Sequence, residues 1–255
     1  MQPKEDVVAN ISLLKVSPAI QKGLREFVSQ VIDSQTGNLI SIIAFGSAVT
    51  GDYDTAESDV NLLIVYSDLT IADLERVAEP SRHWLNKQKF APRFLTRRNL
   101  DQSMRYFQVD YLAMRDARVV LWGEDVLASF EVHPAALRWQ IAYEIKAMRM
   151  RIKQQFWRTA GDPRRMRAVL VERFTSLVHL MRALLVLNNL PAPITRRGII
   201  DAAVEHLDLN RAFADQMLNL RQSQELPRSS ALVGLFNRLM EAIRAIDSRV
   251  EDVKL

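Results

Sequence analysis

The stretch that decides the fold of this chain is AFGSAVTGDYDTAESDVNLLIVYSD, residues 44–68. It joins two apolar runs rich in β-branched residues, LISIIAF (Leu39–Phe45) and VNLLIVY (Val60–Tyr66). Short apolar runs of this kind, bounded by turn-forming residues, are typical of strands buried on both faces. We therefore predict two buried strands whose polar connection begins at Gly46 and ends at Asp59.

The polar residues at these two strand ends have the chemistry of a phosphate and cation site. Side chains alternate along a strand, so Asp59 and Asn61 point to the same side. Two neighbouring oxygen-bearing side chains suit a hard cation such as Mg²⁺. Gly46 allows a ligand to approach the backbone closely, and Ser47 offers a hydroxyl and an N–H to phosphate oxygens. A helix that begins at Ala48 would add its positive end to the same site.

Helix and strand patterns alternate through the rest of the first half. Ser17-Pro18 is a favourable helix start, since Ser can cap and Pro fits the first helical position. The helix that follows has apolar residues at helical spacing and ends at Gly37-Asn38. The other predicted elements are a helix at Ile71–Gln88, an extended piece at Phe94-Leu95, a short helix capped by Thr96 and ending near Met104, and strands at Gln108–Ala113 and Arg118–Trp122.

From Pro134 onward the sequence predicts helices joined by short links, a pattern that favours an antiparallel bundle. We place the domain boundary near residue 130. Residues 1–130 form an α+β domain with a mixed sheet and flanking helices, and residues 131–255 form an all-α helical bundle that binds a substrate or a partner. The predicted helices of the bundle are Pro134–Thr159, Arg165–Leu190, Thr195–His206, Arg211–Leu220 and Ser229–Val250.

The motif between the two buried strands resembles the signature of the nucleotidyltransferase superfamily, which includes polymerase beta and kanamycin nucleotidyltransferase. That signature is a Gly-Ser at a strand end followed by Asp-x-Asp on the next strand. Here it stands as Gly46-Ser47 and Asp59-Val60-Asn61. The resemblance covers about residues 17–127, and the segment RVVLWGEDVL (Arg118–Leu127) also resembles uncharacterised bacterial members. It implies an N-terminal nucleotidyltransferase fold, and a helical bundle after that domain is familiar from the kanamycin branch.

The resemblance also implies roles for individual residues. Gly46 and Ser47 would bind the nucleotide. Asp59 and Asn61 would be catalytic and would ligate the metal, Mg²⁺ or Mn²⁺. The superfamily adds a third carboxylate on a later strand, and Asp110 is the best match, as a metal ligand or a general base. The alternative for Asp110 is an ion pair with a neighbouring arginine, either Arg105 or Arg115.

Asn61 departs from the signature, because both acidic positions of Asp-x-Asp normally bind metal. An Asn keeps an oxygen ligand but loses a negative charge, and Mg²⁺ relies on carboxylates together with substrate phosphates. Three outcomes stay open. Asn61 works as a neutral ligand, a nearby acid replaces it, or the site binds a nucleotide without transferring it. The nearby acids are Asp52, Asp54 and Glu57.

Two functional hypotheses follow from the resemblance. The leading one is Mg²⁺-dependent transfer of a nucleoside monophosphate from a nucleoside triphosphate to an unidentified hydroxyl acceptor, with release of pyrophosphate. The alternative is a catalytically impaired protein of the same fold that binds a nucleotide or a protein partner, as in a toxin–antitoxin-like pair. A shared fold does not by itself secure shared chemistry.

Composition and charge limit the location and the partners. The absence of cysteine excludes disulfides, thiolate zinc sites and thiol nucleophiles. The N-terminus lacks a signal-peptide pattern and no apolar run could span a bilayer, so we expect a cytoplasmic protein with no membrane partner. The balance of Lys+Arg over Asp+Glu is −3 for residues 1–130 and +7 for residues 131–255. The basic segment Arg138–Arg173 makes nucleic acid a candidate partner, which we rank below a nucleotide. A homodimer is left open.

Overall fold

The chain folds into two compact units, residues 1–131 and residues 132–255. The first contains a four-stranded mixed sheet with flanking helices, and the helices of the second confirm the predicted α+β class. Among the described helices, none combines the length and apolar character needed to cross a membrane. This computed structural model describes residues 4–34, 37–55, 58–87, 90–223 and 225–253.

The sheet has four strands, β1 (Leu39–Phe45), β2 (Val60–Tyr66), β3 (Phe90–Thr96) and β4 (Arg118–Gly123), in the order β3-β2-β1-β4. β1 is antiparallel to β2 and β4, and β2 is parallel to β3. β1 and β2 have the bounds that the sequence predicts. Because these two strands are antiparallel, the end of β1 and the start of β2 lie at one edge of the sheet.

One face of the sheet carries the main apolar core of the first unit. Residues of α1 (Lys4–Ser12), α2 (Pro18–Asp33) and α4 (Ile71–Lys87) join alternate residues of the two central strands in one buried cluster. The start of α2 is as predicted, since the Ser17 hydroxyl accepts a hydrogen bond from the Ile20 N–H at 3.4 Å. The helices therefore support the two central strands from one face of the sheet.

The other helices of the first unit are α3 (Ser47–Thr50), α5 (Arg97–Ser103) and α6 (Gln108–Asp116). Thr96 caps α5 as predicted, accepting from the Asn99 N–H at 3.1 Å. The predicted strand at residues 108–113 is wrong, because this segment lies in α6.

The cause of that error is a conflict between local and tertiary preference. Val109 and Tyr111 alternate with polar residues, as in a half-buried strand. In the folded chain, however, Gln108, Val109, Tyr111 and Leu112 are all buried, which suits one face of a helix. The Gln108 side chain also donates to the Met104 carbonyl at 2.6 Å and joins the two helices. Packing thus overrides the strand propensity.

In the described part of the second unit all regular structure is helical. α8 is the central helix, since it packs against each of the other four. Asp162 caps α8 by accepting from the Arg164 N–H at 2.8 Å, and Asn210 caps α10 by accepting from the Phe213 N–H at 2.9 Å. The helices are α7 (Pro134–Arg158), α8 (Pro163–Leu187), α9 (Arg196–His206), α10 (Arg211–Gln222) and α11 (Ser229–Asp252).

Part of the basic segment stabilises this helical unit. Asp247 of α11 is buried and accepts hydrogen bonds from Lys146 Nζ at 2.8 Å and from Arg149 at 3.0 Å, both on α7. Lys146 also donates to Glu251 at 2.9 Å. Hydrogen bonds to Asp247 and Glu251 raise the pKa of Lys146. These two cations are therefore engaged in helix packing, which reduces the charge that the segment offers to an external phosphate.

Candidate functional site

Gly46 forms a tight turn where β1 ends. Its φ of +79° and ψ of −142° are backbone angles that residues with a side chain rarely adopt. The Gly46 carbonyl accepts from the N–H groups of Val49 and Thr50 at 2.9 and 3.1 Å, so the turn leads directly into α3. This helix begins at Ser47, one residue before the predicted start. The sequence therefore needs glycine here for its conformation.

Asn61 lies beside this turn. It pairs with Phe45 across β1 and β2, so its side chain is on the same face of the sheet as the Phe45 ring. A Cβ atom added to Gly46 would lie 3.6 Å from Asn61 Nδ2. The structure thus places the predicted nucleotide-binding glycine next to the predicted neutral ligand.

Asp59 immediately precedes β2 and is exposed. Burial raises the pKa of Tyr53, and the negative charges of Asp59 and Asp54 raise it further, which places both carboxylates near this phenol. The loop is held by Ser58, whose hydroxyl accepts from the Asp54 N–H at 3.0 Å. Glu57, another candidate substitute acid of this loop, lies outside the described residues.

Asp52 is the third acid that could compensate for Asn61. Its carboxylate accepts a hydrogen bond from the Thr50 hydroxyl at 2.9 Å, at the end of α3. This bond directs one carboxylate oxygen toward α3, which weakens the case for Asp52 as a replacement ligand.

Asp110 lies in the first turn of α6 and is half-buried, so its expected place on a strand is corrected. Burial is the main cause of the raised pKa of Tyr111. The Ser103 hydrogen bond lowers that pKa, the Asp110 charge raises it, and the charge of Arg93 lowers it. The charges of Asp110 on α6 and Arg93 on β3 therefore both influence the Tyr111 hydroxyl, which indicates that α6 lies close to β3. Arg115, one of the two arginines suggested as ion-pair partners, donates to Asp116 at 2.7 Å.

The later strand beside β2 is β3, and it carries no acid. The parallel register pairs Asn61 with Ala91 and Leu63 with Arg93, so Ala91 and Arg93 share the face of Asn61. The Arg93 guanidinium carbon lies 5.6 Å from the centroid of the Phe45 ring. Sequence reasoning missed Arg93 because it recognised only Phe94-Leu95 as extended. A longer strand prediction would have included Arg93, but its face is fixed only by the pairing of β3 with β2.

The side chains at this edge fit one divalent cation better than two. Asp59 offers a carboxylate and Asn61 an amide oxygen, and Mg²⁺ commonly combines one or two protein ligands with water and substrate phosphates. A two-metal site needs carboxylates that both ions can share. Within the described ranges, no three or more acidic, His or Cys side chains are grouped so that they could hold a metal ion.

Comparison with known proteins extends these observations to the whole fold. No protein-family model matches the chain, and no curated protein matches its sequence. One similar solved structure is the crystal structure of spectinomycin adenyltransferase AAD(9) from Enterococcus faecialis with ATP and spectinomycin. The TM-score is 0.56 at 12% identity, and the match covers 91% of this chain and 99% of that chain. The chain therefore shares the overall fold of that adenyltransferase.

Proposed function

We propose that this protein is a nucleotidyltransferase and that its first unit binds a nucleoside triphosphate at the edge where β1 ends and β2 begins. The observation that supports this most is the juxtaposition of the Gly46 turn with Asn61, two residues after Asp59, since a Cβ atom added to Gly46 would lie 3.6 Å from Asn61 Nδ2. The proposal assigns the phosphates to Gly46 and Ser47. It assigns one Mg²⁺ or Mn²⁺ to Asp59 and Asn61, completed by phosphate and water oxygens.

The proposed reaction is an in-line displacement at the α-phosphorus. An acceptor hydroxyl attacks, the bond to the β-phosphate oxygen breaks, and pyrophosphate leaves. A bound divalent cation neutralises charge on the phosphates. Asp59 would bind that cation through its carboxylate, and the Asn61 amide would orient the α-phosphate. Asp110 is our candidate for the base that takes the hydroxyl proton, since a half-buried carboxylate is suited to that role.

The first experiment is a binding and transfer assay on the full chain. We expect at least one of ATP, GTP, CTP and UTP to bind in the presence of Mg²⁺, as measured by isothermal titration calorimetry. We also expect an α-phosphate label to move to an acceptor as pyrophosphate forms. The acceptor panel should include spectinomycin, because the similar structure holds it. Failure of all four nucleotides to bind, with and without Mg²⁺, would remove the proposal.

A second candidate function is nucleotide binding without transfer. It is favoured by the amide at position 61 and by the neutral and basic residues, Ala91 and Arg93, that β3 presents on the same face. A protein of this kind would sense a nucleotide or present it to a partner. It shares the binding prediction with the first candidate and differs from it only in turnover.

Asn61→Asp separates the two candidates. We expect this change to raise the rate of pyrophosphate formation about 10- to 100-fold, because a second carboxylate strengthens the metal position. The matched control is Asn99→Asp, which adds the same charge at an exposed position of α5. If turnover appears only in the Asn61→Asp variant, the natural protein binds without transferring. A measurable natural rate that the substitution leaves unchanged would contradict the expectation and show that the amide suffices.

A further inference from the structure

Arg93 places a positive charge where a nucleotidyltransferase site would be expected to carry a negative one. Its side chain starts on β3, passes over β2 and brings its guanidinium above the Phe45 ring of β1, 5.6 Å from the ring centroid. Phe45 is followed by Gly46 and pairs with Asn61. The guanidinium therefore lies at the sheet edge that holds the proposed nucleotide site.

The environment of Arg93 leaves its hydrogen-bond donors available. The residue is exposed, and no ion pair joins it to an acid within the described part of the chain. Two other arginines of the first unit are paired with acids, since Arg97 contacts Glu124 at 3.3 Å and Arg118 contacts Asp125 at 2.7 Å. The cation–π contact with the Phe45 ring holds the guanidinium over the ring without using its N–H donors in hydrogen bonds.

We propose that Arg93 binds the phosphates of the nucleotide directly and takes the place of a second metal ion. This inference rests on the proposed nucleotide site and deepens it. The guanidinium fork matches the geometry of phosphate oxygens and can donate two parallel hydrogen bonds to them. An arginine beside Asp59 and Asn61 offsets negative charge at the site and so favours binding of a polyphosphate before a cation is bound, whereas an all-acid site repels it.

The consequence is nucleotide binding that survives removal of divalent cations. We expect the natural protein to bind ATP and inorganic tripolyphosphate in EDTA, with a dissociation constant within about tenfold of the value in Mg²⁺. Tripolyphosphate tests the phosphate contact alone, because it lacks a base and a sugar. Titration calorimetry on the full chain measures both ligands.

Arg93→Gln tests the residue itself. We expect it to weaken ATP and tripolyphosphate binding in EDTA by about 10- to 100-fold, as for loss of a charge-assisted phosphate contact. Arg93→Lys should recover part of the affinity, because Lys keeps the charge but not the fork. Because Arg93 is exposed, we expect neither variant to change the thermal melting of the protein, and a shifted melting temperature would reveal misfolding.

Arg98→Gln is the matched control and also tests a competing site. Arg98 lies in an open basic pocket with Arg97 and Arg105, near Ser67 at the opposite end of the sheet. We expect this variant to bind like the natural protein. Loss of binding in the Arg98 variant, with normal binding in the Arg93 variants, would move the phosphate site to that pocket and overturn the inference.

The remaining outcomes separate this inference from the proposed function. Binding in Mg²⁺ but not in EDTA, unchanged by Arg93→Gln, would refute a role for Arg93 and leave the nucleotidyltransferase proposal intact. The absence of binding in both conditions would refute the nucleotide site itself. Binding in EDTA that falls with Arg93→Gln and persists with Arg98→Gln supports the inference.

Discussion

Replacing Gly123 with alanine is expected to lower the free energy of unfolding of the first unit by about 3–5 kcal/mol. Gly123 ends β4 with a φ of +80°, and an added Cβ would lie 2.0 Å from the Ile40 carbonyl oxygen and 2.9 Å from the Ile40 carbonyl carbon. These are backbone atoms of β1 that no side-chain rotation can move. The β1–β4 pairing, which also includes the Ser41 hydroxyl bond to the Glu124 carbonyl at 2.6 Å, must therefore shift.

Gly51→Ala is the control for this prediction. Gly51 has a similar φ of +92°, but an added Cβ there would meet the Lys15 side chain at 2.9 Å, which can move aside. Gly51→Ala should therefore lower the free energy of unfolding by only about 1–2 kcal/mol, which is the contribution of backbone strain. Because a chain of two units can unfold in steps, hydrogen exchange of the β1 amides is the appropriate measurement. Equal losses of unfolding free energy in the two variants would contradict the prediction. They would show that β1 can shift enough to relieve the overlap with the added Cβ.

Replacing Asp59 with asparagine is expected to reduce kcat/KM for nucleotidyl transfer by about 100- to 1,000-fold, equivalent to about 3–4 kcal/mol. The reason is that Asn61 is already neutral, so Asp59→Asn leaves the start of β2 without a carboxylate. Mg²⁺ dehydrates reluctantly, and amide oxygens alone are poor compensation. The exposed position of Asp59 makes a loss of stability too small to explain such an effect.

The control for Asp59 is Asp68→Asn, near the other end of β2. That carboxylate accepts from the Leu69 N–H at 2.9 Å and is remote from the proposed site. It should change neither turnover nor the Mg²⁺ dependence of ATP binding. Retention of Mg²⁺-dependent turnover in the Asp59 variant would contradict the assignment of the metal to this edge.

The central strands and most helices could be predicted from the sequence because their information is local. β1 and β2 are uninterrupted apolar runs, and Ser17 and Thr96 mark helix starts by side-chain caps. The sequence predicts too short a β3 because Pro92 and Arg93 interrupt its pattern. The fold tolerates both, since β3 is an edge strand where a missing N–H and an exposed charge are acceptable.

The difference between local sequence information and tertiary packing also explains how much of the site could be predicted. Gly46 and Asn61 lie at the two ends of the connection between β1 and β2. Because these strands pair, their register brings the two residues together, and the sequence is enough to predict that proximity. Arg93 and Asp110 come from β3 and α6, whose positions depend on tertiary pairing and packing. No local pattern shows that an arginine stands over Phe45, or that residue 110 is helical. The catalytic and metal-binding roles of Asp59, Asn61 and Asp110 remain predictions for the experiments above.

The pairing of Phe45 with Asn61 has an evolutionary consequence. The backbone already holds the side chain of residue 61 at the sheet edge, so exchanging its amide for an acid requires no rearrangement of the fold. The codons for asparagine and aspartate differ only in their first base. A gene encoding this chain is thus one A-to-G transition away from the two-acid motif, and we expect random mutagenesis under selection for turnover to recover that codon first.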